Sequence, residues 1–152
     1  MKIAELELVL LIGLQASGKS TYCREHFYAT HVRLNLDMLR TRHRERVLFK
    51  ACLEGKARVV IDNTNLTQED RARYIVPAKA AHYTVRGYFM QSRLEECLRY
   101  NKERKGDACI PDSAIAMSSR KLQLPLWEEG FDTLYFVRKL EGGGFVTEDW
   151  KP

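Results

Sequence analysis

The sequence predicts an α/β fold, a parallel five-stranded sheet with helices on both faces, and three observations carry that prediction. Short apolar runs alternate with helix-length stretches from residue 8 to residue 137, the order of strand and crossover helix in parallel sheets. The first run, residues 8–12 (Leu-Val-Leu-Leu-Ile), is unbroken, as a strand buried on both faces requires. Gly13 then ends it and opens Gly13-x-x-x-x-Gly18-Lys19-Ser20, a spacing that belongs between a strand and a helix.

The elements follow in order. Residues 19–26 read as a helix, 31–34 as a short second strand, and 37–53 as a helix beginning at Asp37. Residues 58–61 are a third strand ending in Asp62. Thr67 caps the next helix, with Asp70 three residues on in a capping-box arrangement, and Pro77 should kink or shorten that helix. Residues 84–90 are the fourth strand. Ser92 and Glu95 form a second capping-box pattern before a helix running to about Lys105. Residues 106–111 are a loop, 112–124 a helix and 131–137 the fifth strand. The Gly142-Gly143-Gly144 tail reads as a turn followed by a short docked segment.

At 152 residues, 45% hydrophobic and 30% charged, the chain has a globular composition and is expected to form one domain over residues 1–152. Cys23, Cys52, Cys97 and Cys109 lie far apart without a Cys-x-x-Cys pair. That spacing favours reduced thiols in a cytoplasmic protein over a disulfide framework or a zinc site. Met1-Lys2-Ile3-Ala4-Glu5 carries an early acid and leads straight into the glycine loop, unlike a secretory leader. No apolar run reaches the ~18 residues of a membrane span. The net charge of +5 allows a polyanionic partner. Its cations cluster as Arg40, Arg42, Arg44 and Arg46, as Arg99, Lys102, Arg104 and Lys105, and as Arg120-Lys121. Each cluster alone reads equally well as a solvated helix face.

The glycine loop points to a nucleoside triphosphate, with ATP and Mg²⁺ as the expected ligands. Its backbone amides turn inward on a polyphosphate, and the N-terminus of the following helix adds partial positive charge. Gly13, Gln15, Ala16, Ser17, Gly18, Lys19, Ser20 and Thr21 are the candidate ATP-binding residues. Lys19 reaches the β- and γ-phosphates, and the Ser20 hydroxyl suits Mg²⁺. Asp62, at the end of an apolar strand, suits the acid behind that metal; Asp62-Asn63-Thr64-Asn65 is equally good turn chemistry. Asp37 opens a helix with Arg40 three residues on, on the same face. That pair reads as a proton acceptor beside a phosphate-binding cation, or as a helix N-terminal acid in a surface ion pair.

These residues resemble the phosphate-loop kinase module of polynucleotide 5′-hydroxyl kinases. The matching segments are Gly13 to Thr21, Asn35-Leu-Asp-Met-Leu-Arg40 and Val60-Ile-Asp-Asn-Thr-Asn65. Arg71-Ala-Arg-Tyr74, Asn101-Lys-Glu-Arg104, Ile110-Pro111 and Glu129-Gly-Phe131 complete them. The resemblance implies a helical lid over the phosphate site and gives roles to single residues. Asp37 is implied as general base for the 5′-hydroxyl, Arg40 as the contact to the acceptor's 3′-phosphate, and Arg104 as a lid arginine on the ATP phosphates. Asp62 is implied as the acid behind the metal, with Thr64 and Asn65 beside it on the acceptor side. Some members carry a second lid arginine four residues before the first; here that position is Tyr100. No Asp-x-Asp-Gly-Thr phosphatase motif or Lys-x-Asp-Gly ligase motif is present.

The expectation is transfer of the ATP γ-phosphate to 5′-hydroxyl ends of RNA or DNA, as in nucleic-acid repair. Lys19, Asp37, Arg40 and Arg104 are the catalytic candidates, and Ser20 and Asp62 the metal candidates. A small-molecule or nucleotide kinase of the same fold and a slow ATPase switch are the competing readings. An acceptor base and a lid arginine are parts a switch does not need.

Overall fold

The computed structural model describes residues 5–151, so the reading of Met1 to Ala4 lies outside the described residues. Six strands form one sheet: β1 (Glu7–Ile12), β2 (Val32–Leu34), β3 (Val59–Asp62), β4 (Thr84–Met90), β5 (Thr133–Lys139) and β6 (Phe145–Asp149). Their order is β2-β3-β1-β4-β5-β6. The first five run parallel, and β6 returns antiparallel along β5.

β1 sits at the centre because its side chains are apolar on both faces. Leu8, Leu10 and Ile12 point into one cluster with Phe49, Tyr74, Ile75 and Ala78, carried by α3 (Arg42–Glu54) and α4 (Gln68–Ala80). Val9 and Leu11 point into the other with Tyr22, Cys23 and Phe27 of α1 (Lys19–Phe27). Leu8 to Ile12 are each 0% exposed, and burying each aliphatic side chain stabilises the fold by about 1.5–3 kcal/mol. The short α2 (Leu36–Leu39) precedes α3, while α5 (Leu94–Lys102) and α6 (Asp112–Lys121) lie side by side over a small cluster of Leu14, Cys97 and Ile115.

Four expectations change. The sheet has six strands rather than five, because the three glycines at 142–144 all take positive φ. They fold the tail back on β5, where Leu140 N donates to Gly144 O at 2.9 Å. The helix expected over residues 37–53 is two helices. Arg40 stands between them at φ 77°, and Thr41 starts α3 by accepting from Arg44 N. The capping box at Ser92 does not form: Arg93 is the N-cap of α5, and Ser92 Oγ accepts instead from Leu14 N at 3.0 Å. Pro77 falls in the last turn of α4 and leaves it 13 residues long. The box at Thr67 and Asp70 forms as read. No helix among the described residues is long and apolar enough to cross a membrane.

Candidate active site

The C-terminal ends of β1 and β3 carry the two loops from which the site is built. Gly13 N donates to Thr64 O at 3.0 Å and Asn65 Nδ2 to Leu11 O at 2.7 Å, which locks these loops together. Asn65 does so at φ 48°, a conformation asparagine tolerates better than most residues. The phosphate loop curls through Ala16 at φ 64° and Gly18 at φ 99°. A Cβ on Gly18 would meet the Phe145 ring of β6 at 3.0 Å, so both the backbone angle and the space require glycine. α1 begins at Lys19 without a side-chain cap, leaving its first amides for a ligand. Its flank is closed by Tyr22, whose hydroxyl meets Thr147 of β6 at 2.9 Å.

The Lys19 ammonium is folded back on the loop, donating to Gly13 O at 2.9 Å and Leu14 O at 2.7 Å. Burial pulls its pKa down to about 8, against the opposing charge of Asp62. Ser20 Oγ donates to Asp62 Oδ2 at 2.9 Å, and Arg33 Nε donates to the same oxygen at 2.9 Å. Asp62 is 1% exposed, yet its Oδ1 has no partner among the described residues. A hydroxyl beside a buried carboxylate with one oxygen to spare fits Mg²⁺ held by Ser20 and, through its waters, by Asp62.

Across the cleft, α2 is clamped to the β3 loop by two asparagines. Asn35 Oδ1 caps the helix by accepting from Met38 N at 2.9 Å, and Asn35 Nδ2 donates to Asp62 O at 2.6 Å. Asn63 Oδ1 accepts from Leu36 N at 2.8 Å, while its Nδ2 donates to Glu45 Oε2 at 2.9 Å. Glu45, 2% exposed, also takes Tyr74 OH at 2.6 Å and Arg42 Nη1 at 3.0 Å on Oε1. This burial and the neighbouring carboxylate push the Tyr74 pKa up to about 12. Asp37 is exposed on α2 and caps nothing, because Asn35 holds that position.

One cleft of about 450 Å³ joins these parts, a volume in the range of small-ligand sites. It brings together Gln15, Ala16, Gly18, Lys19, Ser20 and Thr21 with Asp37, Asp62, Thr64, Asn65 and Arg104. Gly13 and Ser17 lie beneath the loop, buried. Arg40 is exposed and does not line the cleft: its left-handed backbone takes it out of the helical phase that would have set it beside Asp37, and no ion pair joins the two among the described residues. Sequence reasoning gave no site role of their own to Arg33, Asn35, Asn63, Ser92 and Arg42, which orient the site or line it. Asn35 and Asn63 stood inside the matching segments and Arg42 inside a cation cluster, while Arg33 stood out only as a charge in an otherwise apolar strand. On the lid side, Tyr100 of α5 lies under Lys139, whose ammonium is 3.8 Å from the ring centroid, an attractive cation–π contact. Both line the cleft next to Glu103 and Arg104.

Residues 40–125 match the family described as an AAA domain. The chain is 33% identical over 133 residues to a bifunctional polynucleotide phosphatase/kinase of Schizosaccharomyces pombe, covering 82% of this chain and 32% of that protein. It is 29% identical over 146 residues to a putative bifunctional polynucleotide phosphatase/kinase of Acanthamoeba polyphaga mimivirus, covering 88% and 35%. The chain thus spans about a third of the length of the curated relatives it matches. Among solved structures, Chaetomium thermophilum Kti12 in complex with ADP-AlF3 superposes with a TM-score of 0.65 at 17% identity, covering 86% of this chain and 88% of that one. A gluconokinase from Sinorhizobium meliloti gives 0.62 at 16% identity, covering 88% and 82%. At those identities the likeness is one of fold, a phosphate-loop α/β sheet. The family match extends over more than half of the residues, and the chain belongs to the AAA domain family.

Proposed function

We propose that this protein is a phosphotransferase that moves the γ-phosphate of ATP to the 5′-hydroxyl of an RNA or DNA end. The observation that carries the reading is the placement of Asp37. It stands free of any capping duty on a helix clamped by Asn35 and Asn63, in the same cleft as Lys19 and Ser20. A carboxylate held there and left unpaired is suited to take the proton of an attacking hydroxyl. The likeness to the polynucleotide phosphatase/kinase of fission yeast supports a nucleic-acid acceptor.

In this reading Lys19 leaves its carbonyl partners for the β- and γ-phosphates, and Arg104 approaches the same phosphates from the lid. Ser20 and Asp62 would hold Mg²⁺, which would supply neutralisation of charge on the phosphates. As the 5′-oxygen bonds to the γ-phosphorus, its proton passes to Asp37 and the bond to the β-phosphate oxygen breaks, releasing ADP. Positioning and charge stabilisation supply most of the acceleration in such reactions. Thr64 and Asn65 border the acceptor path, and Arg40, on the rim, meets the backbone of a longer strand. A single domain working in the cytoplasm accords with four free cysteines and one continuous sheet.

The test is transfer of radiolabel from ATP marked on its γ-phosphate to 5′-hydroxyl oligonucleotides. Label is expected on the oligonucleotide and only with ATP, Mg²⁺ and Asp37 all present. Absence of label on any nucleic-acid end, with label on free nucleosides or sugars, would favour the small-molecule kinase.

A further inference from the structure

Outside the active-site cleft, a second concavity of about 440 Å³ lies between α1, β2 and α2. Its apolar floor is built from Cys23 and Phe27 of α1, both buried. His31 closes one side, its ring 5.0 Å from that of Phe27. That ring is fixed by Glu7 on one nitrogen and by Thr30 Oγ1, at 2.7 Å, on the other. Tyr28, 84% exposed, and Met38, 54% exposed, stand at the rim. Two arginines stand there with them. Arg24 is exposed. Arg33 is pinned through Nε to Asp62 Oδ2 at 2.9 Å, with Nη1 4.0 Å from Met38 Sδ. Among the described residues neither a carboxylate nor a side-chain amide lines this groove.

We propose that the groove binds an unpaired nucleotide of a single-stranded nucleic acid, its base against Tyr28 and Met38 and its phosphate between Arg24 and Arg33. The class of partner rests on the proposed function, whereas the site lies outside the reacting centre. Every base offers a flat apolar face, and stacking on an aromatic ring tolerates any sequence. Two guanidinium groups with no opposing acid suit a phosphodiester, and without side-chain amides the groove has little with which to read base edges. An added peptide strand fits worse, since β2 offers an edge of only three residues. The four-residue α2 divides groove from cleft: Asp37 lines the cleft and Met38, the next residue, lines the groove. A strand whose end lies at Asp37 therefore reaches the groove by crossing one short helix. A base stacked and paired in a duplex has no free face to offer, so the groove selects single-stranded over blunt duplex ends.

The experiment is fluorescence anisotropy of a single-stranded oligonucleotide of about twelve nucleotides, 5′-phosphorylated so that its end cannot accept a phosphate, with no ATP present. Tyr28→Ala should weaken binding at least about fivefold, and Tyr28→Phe, which keeps the ring, should match wild type. Arg24→Gln should lower the slope of log affinity against log salt by about 0.7, one phosphate's share in a single strand. A blunt duplex of equal length should be indifferent to Tyr28. With 4-thiothymidine in the strand, irradiation should label the tryptic peptide of residues 25–33, which follows Arg24 and ends at Arg33. Strand binding unchanged in Tyr28→Ala, an unchanged salt slope in Arg24→Gln, or no label on that peptide overturns the proposal. So does a duplex that depends on Tyr28 as the single strand does. Adenosine monophosphate bound through Tyr28 as tightly as the strand would give the groove to a free nucleotide and overturn it too. Tyr28-dependent strand binding without transfer to 5′-hydroxyl ends would sink the kinase reading alone. Transfer by a protein whose strand binding ignores Tyr28 would sink this inference alone.

Discussion

Arg71 and Glu129 meet as a bidentate pair, Nε to Oε1 at 2.7 Å and Nη2 to Oε2 at 3.0 Å, across 58 positions of sequence. The guanidinium is fully buried, and its remaining nitrogen donates to Asn65 O and Gln123 O, each at 2.9 Å. One side chain therefore ties α4 to the loop carrying Asp62 and to the turn before β5.

Breaking a buried pair leaves a charge without its partner, which costs about 3–5 kcal/mol. Arg71→Met should lower the urea-derived unfolding free energy by that amount, and activity should fall in proportion to unfolded protein. A loss under about 1 kcal/mol would mean that the pair behaves like a surface ion pair.

Much of this fold was legible because its signals are local. The fourth strand stands at residues 84–90 as read, since β-branched and aromatic residues there are bounded by polar ones. The glycine loop and the box at Thr67 are also contained within a few residues. The break at Arg40 was not legible, because it depends on Asn63 holding Leu36 N from 27 residues away. Ser92 misled in the same manner: its hydroxyl is taken by Leu14 N, 78 residues distant. The last strand was hidden by a glycine run whose turn matters only once β5 is beside it. The glycine-loop side of the cleft was therefore readable as structure, whereas the side formed by α2 is assembled from long-range side-chain bonds.

Lys19→Ala should reduce transfer by at least about 10²-fold while the protein stays folded, since it removes a charge aimed at the phosphates. The pH behaviour follows from a pKa of about 8 against the ordinary 10.5. Between those values the unfolded chain binds more protons, so this lysine destabilises the fold below pH 8 and the penalty fades as pH rises towards 10.5. A polyphosphate placed beside it raises the pKa again. ATP binding at about pH 8.5 should therefore take up a fraction of a proton, seen as a dependence of binding enthalpy on the buffer's own ionisation. The Lys19→Ala protein should show none.

Asp37→Asn preserves shape and removes the proton acceptor. Transfer should fall by about 10²–10⁴-fold, with a melting temperature close to wild type because Asn35 rather than Asp37 caps α2. A large drop in melting temperature with activity tracking folded protein would reveal a structural residue instead.

Asn63→Ala strips partners from Leu36 N and Glu45 Oε2 at once. Two buried groups left without donors or acceptors should cost about 1–3 kcal/mol in chemical denaturation. With α2 loosened, kcat at saturating ATP should fall by about tenfold or more although Asp37 is intact. Normal kcat in a destabilised protein would show that the clamp serves the fold only.

The contact of Tyr22 with Thr147 joins residues 125 positions apart, and Phe145 closes on Gly18 beside it. During synthesis the wall behind the phosphate loop follows it by 125 positions. A nascent chain therefore carries the nucleotide loop, bare on that flank, while the intervening residues are added. Closing so long a chain segment also raises contact order and slows folding. Nucleotide affinity that depends on this wall arrives only once β6 has docked on β5, so a ligand added to a refolding mixture reports completion of this sheet rather than formation of the loop.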